Sequence, residues 1–270
     1  MKIRYNVIPK TIFDILCIIV IGLSFPVVCY VEAFFVLPAF HEPGTLAHKI
    51  TLFFGLCLWL GVEMNFLVLL ITDTSIKNEA FSSPDNKEDW RFCEKCESYA
   101  PPRSWHCIVC KTCILKRDHH SMFTACCIGH RNHRYFMVLL MYMLIACAIT
   151  TVYDSIYLWW LKYDEYVNIW TILKICFPML TFSFDTSLFN LFLFNYVNKI
   201  VASFQIFSML KFHWNLVIRG ALTYEKDGSK YDLGFWRNIE MVFGRRWQFV
   251  WLSPFIASEL PADGINWKVE

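Results

Sequence analysis

The sequence predicts an all-α polytopic membrane protein: four membrane-crossing helices, with a cytosolic cysteine-rich domain between the second and the third. Three observations lead there. Of 270 residues, 56% are hydrophobic and only 18% charged, an oilier composition than a soluble domain of this size carries. The apolar residues lie in long runs and not in amphipathic stripes, as bilayer spans of about 20 residues require. The basic residues collect between the runs, in an uneven pattern that orients them.

Residues 1–10 are a short amino-terminal segment. The first run, 11–37, is too long for a signal-peptide core and has no small-residue cleavage pattern behind it, so it is predicted to be a retained span. The second span is predicted over 50–72, the cysteine-rich segment over 73–134 and the third span over 135–160. Residues 169–212 are apolar enough for one tilted helix or for two. Lys174, Pro178 and Asp185 interrupt the first half, which places a single span at 186–210 and leaves 211–270 as a tail. Two helices there would make five spans and put the tail across the membrane.

Charge distribution favours four. Three Lys or Arg precede the first span, Lys49 alone lies between the first two, ten fall from Asp73 to Arg134, Lys162 occupies the short loop, and eight lie from Lys211 onward. Basic residues mark cytoplasmic segments, so both termini and the cysteine-rich domain are predicted to face the cytosol. A net charge of +2 gives no reason to expect a nucleic-acid partner. Within the spans, Glu63 is the costliest charge and is read as structural, paired with a polar neighbour such as Asn195 or Lys199. Trp159, Trp160 and the aromatics from Trp247 to Trp251 read as interfacial belts.

Seven of the twelve cysteines (Cys93, Cys96, Cys107, Cys110, Cys113, Cys126 and Cys127) fall within 35 residues of the cytosolic segment. In a reducing compartment such clustering means metal binding or catalysis, not disulfides. The other five, Cys17, Cys29, Cys57, Cys147 and Cys176, lie in apolar stretches and are expected to be small buried hydrophobes. Cys93-x2-Cys96 and Cys107-x2-Cys110 have the spacing by which a tight turn aims two thiolates at one tetrahedral Zn²⁺, and His106, His119 and His120 add nitrogen donors. Spacing alone does not partition these residues into sites. A segment so poor in apolar residues would depend on metal for its fold.

The stretch PPRSWHCIVCKTCILKRDHHSMFTACCIGHRNHRYF resembles the cysteine-rich domain of the DHHC protein S-acyltransferases, which move a fatty acyl chain from acyl-CoA to protein cysteines. The likeness covers about 44 residues from Cys93 to Phe136. It rests on Pro102-Arg103, the Asp118-His119-His120 core, Cys127 with Gly129, and Asn132 with Phe136. Beyond the last span, Leu222-Thr223-Tyr224-Glu225 resembles the family's TTxE motif with its first threonine lost, and the region around Asn238 and Phe243-Gly244 resembles its tail motif. The resemblance implies two structural zinc ions, one held by Cys93, Cys96, His106 and Cys113, the other by Cys107, Cys110, His120 and Cys127. It also implies acyl-CoA (palmitoyl-CoA) as donor, the lipid bilayer and membrane-proximal cysteines of client proteins as partners, and an endoplasmic reticulum or Golgi membrane as location.

By the same resemblance, position 121 is the nucleophile, His119 its general base and Asp118 the group that orients the base. Here that position is Ser121. A hydroxyl is far less acidic than a thiol, and an acyl-serine is an oxyester whose transfer to a substrate thiol runs uphill. Two readings follow: an acyltransferase working slowly through Ser121 or through the neighbouring Cys126, and a catalytically silent relative that keeps the zinc scaffold and binds clients, acyl-CoA or an active homologue. Cys126 itself is either a relocated nucleophile or an inert thiol. His130 and His133 are expected at the surface near lipid headgroups, and Arg131 and Arg134 either meet CoA phosphates or anchor the third span.

Overall fold

The computed structural model describes residues 2–4, 7–76, 90–225 and 230–267. Helix α1 (Ile12–Val31) passes through a π-helical turn (Glu32–Val36) into α2 (Leu37–Phe40). Pro38, which has no N–H to give, follows that wide turn and starts the last helical segment. Helix α3 covers Leu46–Ile71, and α4 covers His133–Ile156 and ends in a second π-helical turn, Tyr157–Leu161. Three short helices follow, α5 (Tyr163–Tyr166), α6 (Ile169–Cys176) and α7 (Pro178–Phe184), then the 31-residue α8 (Leu188–Ile218) and α9 (Phe235–Phe243).

Among the described residues, Ile12–Phe40, Leu46–Ile71 and His133–Leu161 are helical stretches long and apolar enough to cross a membrane. Helix α8 has the length, but Asn190, Asn195, Asn198, Lys199 and Gln205 dilute its apolar character. The predicted interruption at 174–185 coincides with the breaks around α6 and α7, where Pro178 opens α7 and Lys174 pairs with Asp185 at 2.6 Å.

The chain divides into two compact units. One comprises Leu23–Val62 and Leu140–Met209. Its core is aromatic, with Leu158, Tyr166 and Phe192 buried among Tyr153, Tyr157 and Phe189. Lys199 is buried here and its ammonium is taken by Glu32 and Asp154. Intramembrane charges survive by pairing with one another, and the partners of Lys199 are these two acids, where the sequence suggested Glu63. The expectation that five cysteines are buried hydrophobes needs correction: Cys17, Cys29 and Cys147 are half-buried, and Cys57 and Cys176 are exposed. Helix faces that meet lipid have no protein to bury them.

The other unit comprises Met1–Gly22, Glu63–Leu139 and Leu210–Glu270. Here the all-α expectation is too simple, because the cysteine-rich segment folds as three antiparallel hairpins: β1 (Arg91–Cys93) with β2 (Ser98–Ala100), β3 (Trp105–Cys107) with β4 (Thr112–Ile114), and β5 (His119–Ser121) with β6 (Cys126–Ile128). The residue that closes each turn, Glu97, Lys111 or Ala125, has positive φ, the backbone habit of a tight hairpin. In the first two hairpins the Cys-x2-Cys pair occupies the turn, so the ligand spacing itself dictates strand geometry. Within the cysteine-rich segment two small apolar clusters form: Ile76, Ala100 and Leu115 pack with Cys113, while Ile114 packs with Cys107, Cys110 and Cys127. The chain leaving α3 lines this region, with Leu115 N–H donating to Thr74 O and Ile76 N–H to Cys113 O, both at 3.0 Å.

Candidate active site and metal centres

Two groups of metal-ligating side chains assemble from the hairpins. Cys93, Cys96, His106 and Cys113 form one, and Cys107, Cys110, His120 and Cys127 the other, with the ligand atoms of each group within 4.8 Å of one another. His106 Nδ1 lies 3.6 Å from Cys93 Sγ and 3.2 Å from Cys96 Sγ. His120 Nδ1 lies 3.7, 3.4 and 3.7 Å from the sulfurs of Cys107, Cys110 and Cys127, and Cys110 and Cys127 sulfurs are 3.6 Å apart. A tetrahedron with Zn–S near 2.3 Å and Zn–N near 2.0 Å has edges of about 3.5–3.8 Å, so these donor sets fit Zn²⁺. Each has three thiols and one imidazole, enough to close the coordination shell.

His120 has a further neighbour that sequence reasoning missed. Its Nε2 lies 3.4 Å from Oδ1 of Asp14, a carboxylate only 1% exposed whose Oδ2 has no hydrogen-bond partner among the described residues. A carboxylate behind a ligating imidazole is a common way to fix its tautomer and ring orientation. Lys10 Nζ donates to Cys110 O at 3.0 Å, and Arg4 donates to Leu70 O and Ala125 O, so the amino-terminal segment docks beside this group. Asp14 lies at the start of an apolar run, where nothing in the sequence ties it to His120.

Strand alternation sends His120 to one face of β5 and His119 and Ser121 to the other. Asp118 is buried and its backbone N–H donates to Ile128 O at 2.9 Å. Its Oδ2 receives His119 Nδ1–H and Thr223 Oγ1–H, each at 2.7 Å, and its Oδ1 receives Thr223 N–H at 2.9 Å. Burial opposes charge on Asp118, but the His119 hydrogen bond and the imidazoles of His133, His119 and His213 hold its carboxyl well below the usual carboxylate range. An ionised Asp118 keeps the proton on Nδ1, leaving Nε2 of His119 basic. Ser121 is buried and opposes Cys126 across the hairpin. Cys126 is 3% exposed, with Sγ 3.4 Å from Thr124 Oγ1, and burial pushes its thiol up to about 11. Met122 and Phe123 form the exposed turn between these strands.

The tail closes on this face through three consecutive residues. Thr223 holds Asp118, Tyr224 O–H donates to Arg103 O at 3.2 Å, and Glu225 receives Arg103 through Nε at 2.9 Å and a terminal nitrogen at 2.8 Å. Glu225 also accepts Leu222 N–H, and the Leu222 side chain is fully buried. Asn238 does not reach the reacting groups. It donates to Ile218 O and Asp232 Oδ1 and accepts Leu233 N–H, tying α9 to the end of α8. Gly220 at that end has φ +60°, and a Cβ there would meet Tyr231 O at 2.7 Å. Asn132, fully buried, accepts Gly129 N–H and donates to Cys127 O, joining the last thiol to the start of α4.

One expectation is corrected. His130 and His133 are buried, not at the surface: His130 Nε2 faces Ala262 O at 3.0 Å, and the tail turn at Gly264 lies against its ring. Arg131 and Arg134 are engaged with the protein, Arg131 donating to Ser75 O and Arg134 to Ser258 O. Both histidines and both arginines meet segments distant in the chain, which local sequence could not reveal. His213 is the other residue missed. Its ring stacks on His119, with centroids 5.0 Å apart.

Two thiol–imidazole clusters able to hold zinc stand beside an Asp–His pair, in a chain whose helices include stretches long and apolar enough to cross a membrane. The family description "DHHC palmitoyltransferase" matches residues 86–230, and the chain belongs to that family of protein S-acyltransferases. It is 31% identical over 238 residues to "Probable palmitoyltransferase ZDHHC24" of Mus musculus, covering 83% of this chain and 80% of that protein. It is 30% identical over 210 residues to "Palmitoyltransferase PFA3" of Debaryomyces hansenii, covering 68% and 50%. It is 28% identical over 206 residues to "Probable protein S-acyltransferase 15" of Arabidopsis thaliana, covering 69% and 72%.

Proposed function

We propose that this protein binds acyl-CoA beside Asp118 and His119, with base and orienting acid assembled for acyl transfer, and that in the wild-type chain no acyl-enzyme intermediate forms on Ser121 or Cys126. Asp118 orients, His119 is the base and Ser121 stands where the nucleophile belongs. The observation that carries this reading is the Asp118–His119 contact of 2.7 Å, locked by Thr223, on the face of β5 that also carries Ser121. Cys126 is no substitute nucleophile. Its thiol is buried, and burial holds it in the neutral, unreactive form.

Two Zn²⁺ ions, one in each thiol–imidazole cluster, are structural in this proposal and leave no open position for Lewis-acid chemistry. The fourth span, 186–210, falls largely in helix α8, which puts both termini and the zinc domain in the cytosol, as the distribution of Lys and Arg favours. Palmitoyl-CoA is the donor, and membrane-proximal protein cysteines are the clients. The endoplasmic reticulum or Golgi is the compartment in which these meet.

The test is labelling of purified protein with an alkyne analogue of palmitoyl-CoA, with and without neutral hydroxylamine. No hydroxylamine-labile label is expected on the wild type, and a clear gain in Ser121→Cys. Label on the wild type that vanishes in Cys126→Ala would make Cys126 the nucleophile. Hydroxylamine-resistant label that vanishes in Ser121→Ala would mark a loaded oxyester. Either outcome overturns the proposal.

A further inference from the structure

His213 sits inside the site with no step of the reaction assigned to it. It lies on α8, beyond residue 210, and is 5% exposed. Its ring stacks on that of His119 with an interplanar angle of 29°, and Phe136 stands edge-on to both, 5.3 Å from His119 and 5.0 Å from His213. His213 Nδ1 is 3.5 Å from Asp118 Oδ2 and makes no hydrogen bond among the described residues. His119 is anchored to Asp118 through Nδ1. One hydrogen bond fixes one atom of a ring and leaves it free to swing about that contact. Something else must set the direction of Nε2.

We propose that His213 is the positioning residue for the base: its ring walls one face of His119, and with Phe136 it keeps Nε2 directed at position 121. This rests on the assignment of His119 as base. Burial opposes charge on His213, outweighing the attraction of Asp118, and holds its imidazole down to about 4. The wall is therefore neutral near pH 7, so His119 can take up a proton without facing a cation stacked on it. The ligand atoms of Asp118, His119 and His213 lie within 4.8 Å of one another, near enough for a metal. The Asp118 oxygens are instead already engaged by Thr223 and His119, which favours an organic wall over a third metal site.

Two measurements test this. The first uses ¹⁵N-histidine NMR of the wild-type chain, with the His119 resonance identified by its loss in His119→Gln. The Nδ1–H tautomer, held by Asp118, is expected in every variant, with a sharp Nε2 signal in the wild type, a shifted or broadened one in His213→Ala, and recovery in His213→Phe, which restores a ring. The second uses Ser121→Cys as parent: His213→Ala should slow autoacylation at saturating palmitoyl-CoA about tenfold or more, as misplaced reacting groups do, with KM little changed. His213→Phe should recover most of the rate. An unchanged His119 signal and rate in His213→Ala overturns the proposal, as does a third bound zinc that His213→Ala removes. If Ser121→Cys takes no label, the base assignment fails, whereas an unchanged His119 Nε2 shift and line width in the wild-type background refutes the wall on its own.

Discussion

At the residue scale, the proposal turns on one atom at position 121. Ser121 carries oxygen where the family's nucleophile carries sulfur, and the side chains around it are arranged as for a base-assisted attack. Asp118 accepts from His119 and twice from Thr223, so these two partners should matter as soon as a thiol is supplied. In the Ser121→Cys parent, Asp118→Asn should lower the autoacylation rate by at least about a hundredfold, because an amide favours the wrong imidazole tautomer. Thr223→Ala, which removes one of three donors, should have a smaller effect in the same assay. Cys126 should behave as a spectator. With burial holding its thiol up at about 11, it should resist maleimide at pH 7.5 in folded protein and react on denaturation, a contrast that mass spectrometry of the labelled peptide reads directly.

At the element scale, the hairpins owe their shape to ligand spacing and their attachment to distant segments. Cys-x2-Cys turns were legible in the sequence because the chemistry of a tetrahedral ion demands that spacing. The strands flanking them were not, since three-residue strands with no alternating pattern leave no periodic signal. Asp14 is the clearest case of an unreadable partner: a single acid at the head of an apolar helix, 106 residues from the His120 it faces at 3.4 Å. Asp14→Asn should speed zinc release to a colorimetric chelator about tenfold or more, in the range seen when outer partners of ligating histidines are changed. Zinc stoichiometry at saturation should stay at two. A release rate equal to wild type would mean the carboxylate is only a bystander.

At the scale of the whole molecule, metal and membrane each replace something a larger soluble core would supply. Among the described residues the cysteine-rich segment has two small apolar clusters, and three of the four buried members of one are ligand candidates. Stripping zinc with a strong chelator should therefore unfold it, seen as loss of protection from protease over residues 90–134 while the helical circular dichroism largely remains. In the membrane unit, Lys199 between Glu32 and Asp154 plays the corresponding role for charge. Lys199→Met would leave two carboxylates together without a counter-ion, and should cost about 3–5 kcal/mol, the usual effect of breaking a buried ionic group. The fall in melting temperature should be partly reversed by adding Glu32→Gln and Asp154→Asn. Four spans predict that an added glycosylation acceptor is modified in the loops around Glu42 and Lys162 and not at either end of the chain.

Much of this protein is determined by composition and spacing alone. Long apolar runs predict helices long enough to cross a membrane, pairs of cysteines two residues apart predict tight turns suited to a metal, and Asp118 and His119 are neighbours in the chain. These features are local, so they can be read from neighbouring residues. Tertiary structure decided everything that depends on segments meeting: Thr223 on Asp118, Glu225 on Arg103, Asp14 behind His120, and His213 stacked on His119. A lone histidine or acid is chemically mute until burial and a partner give it a task. That is why the resemblance could single out position 121, whereas the contacts of His119 with Asp118 and His213 are visible only in the fold.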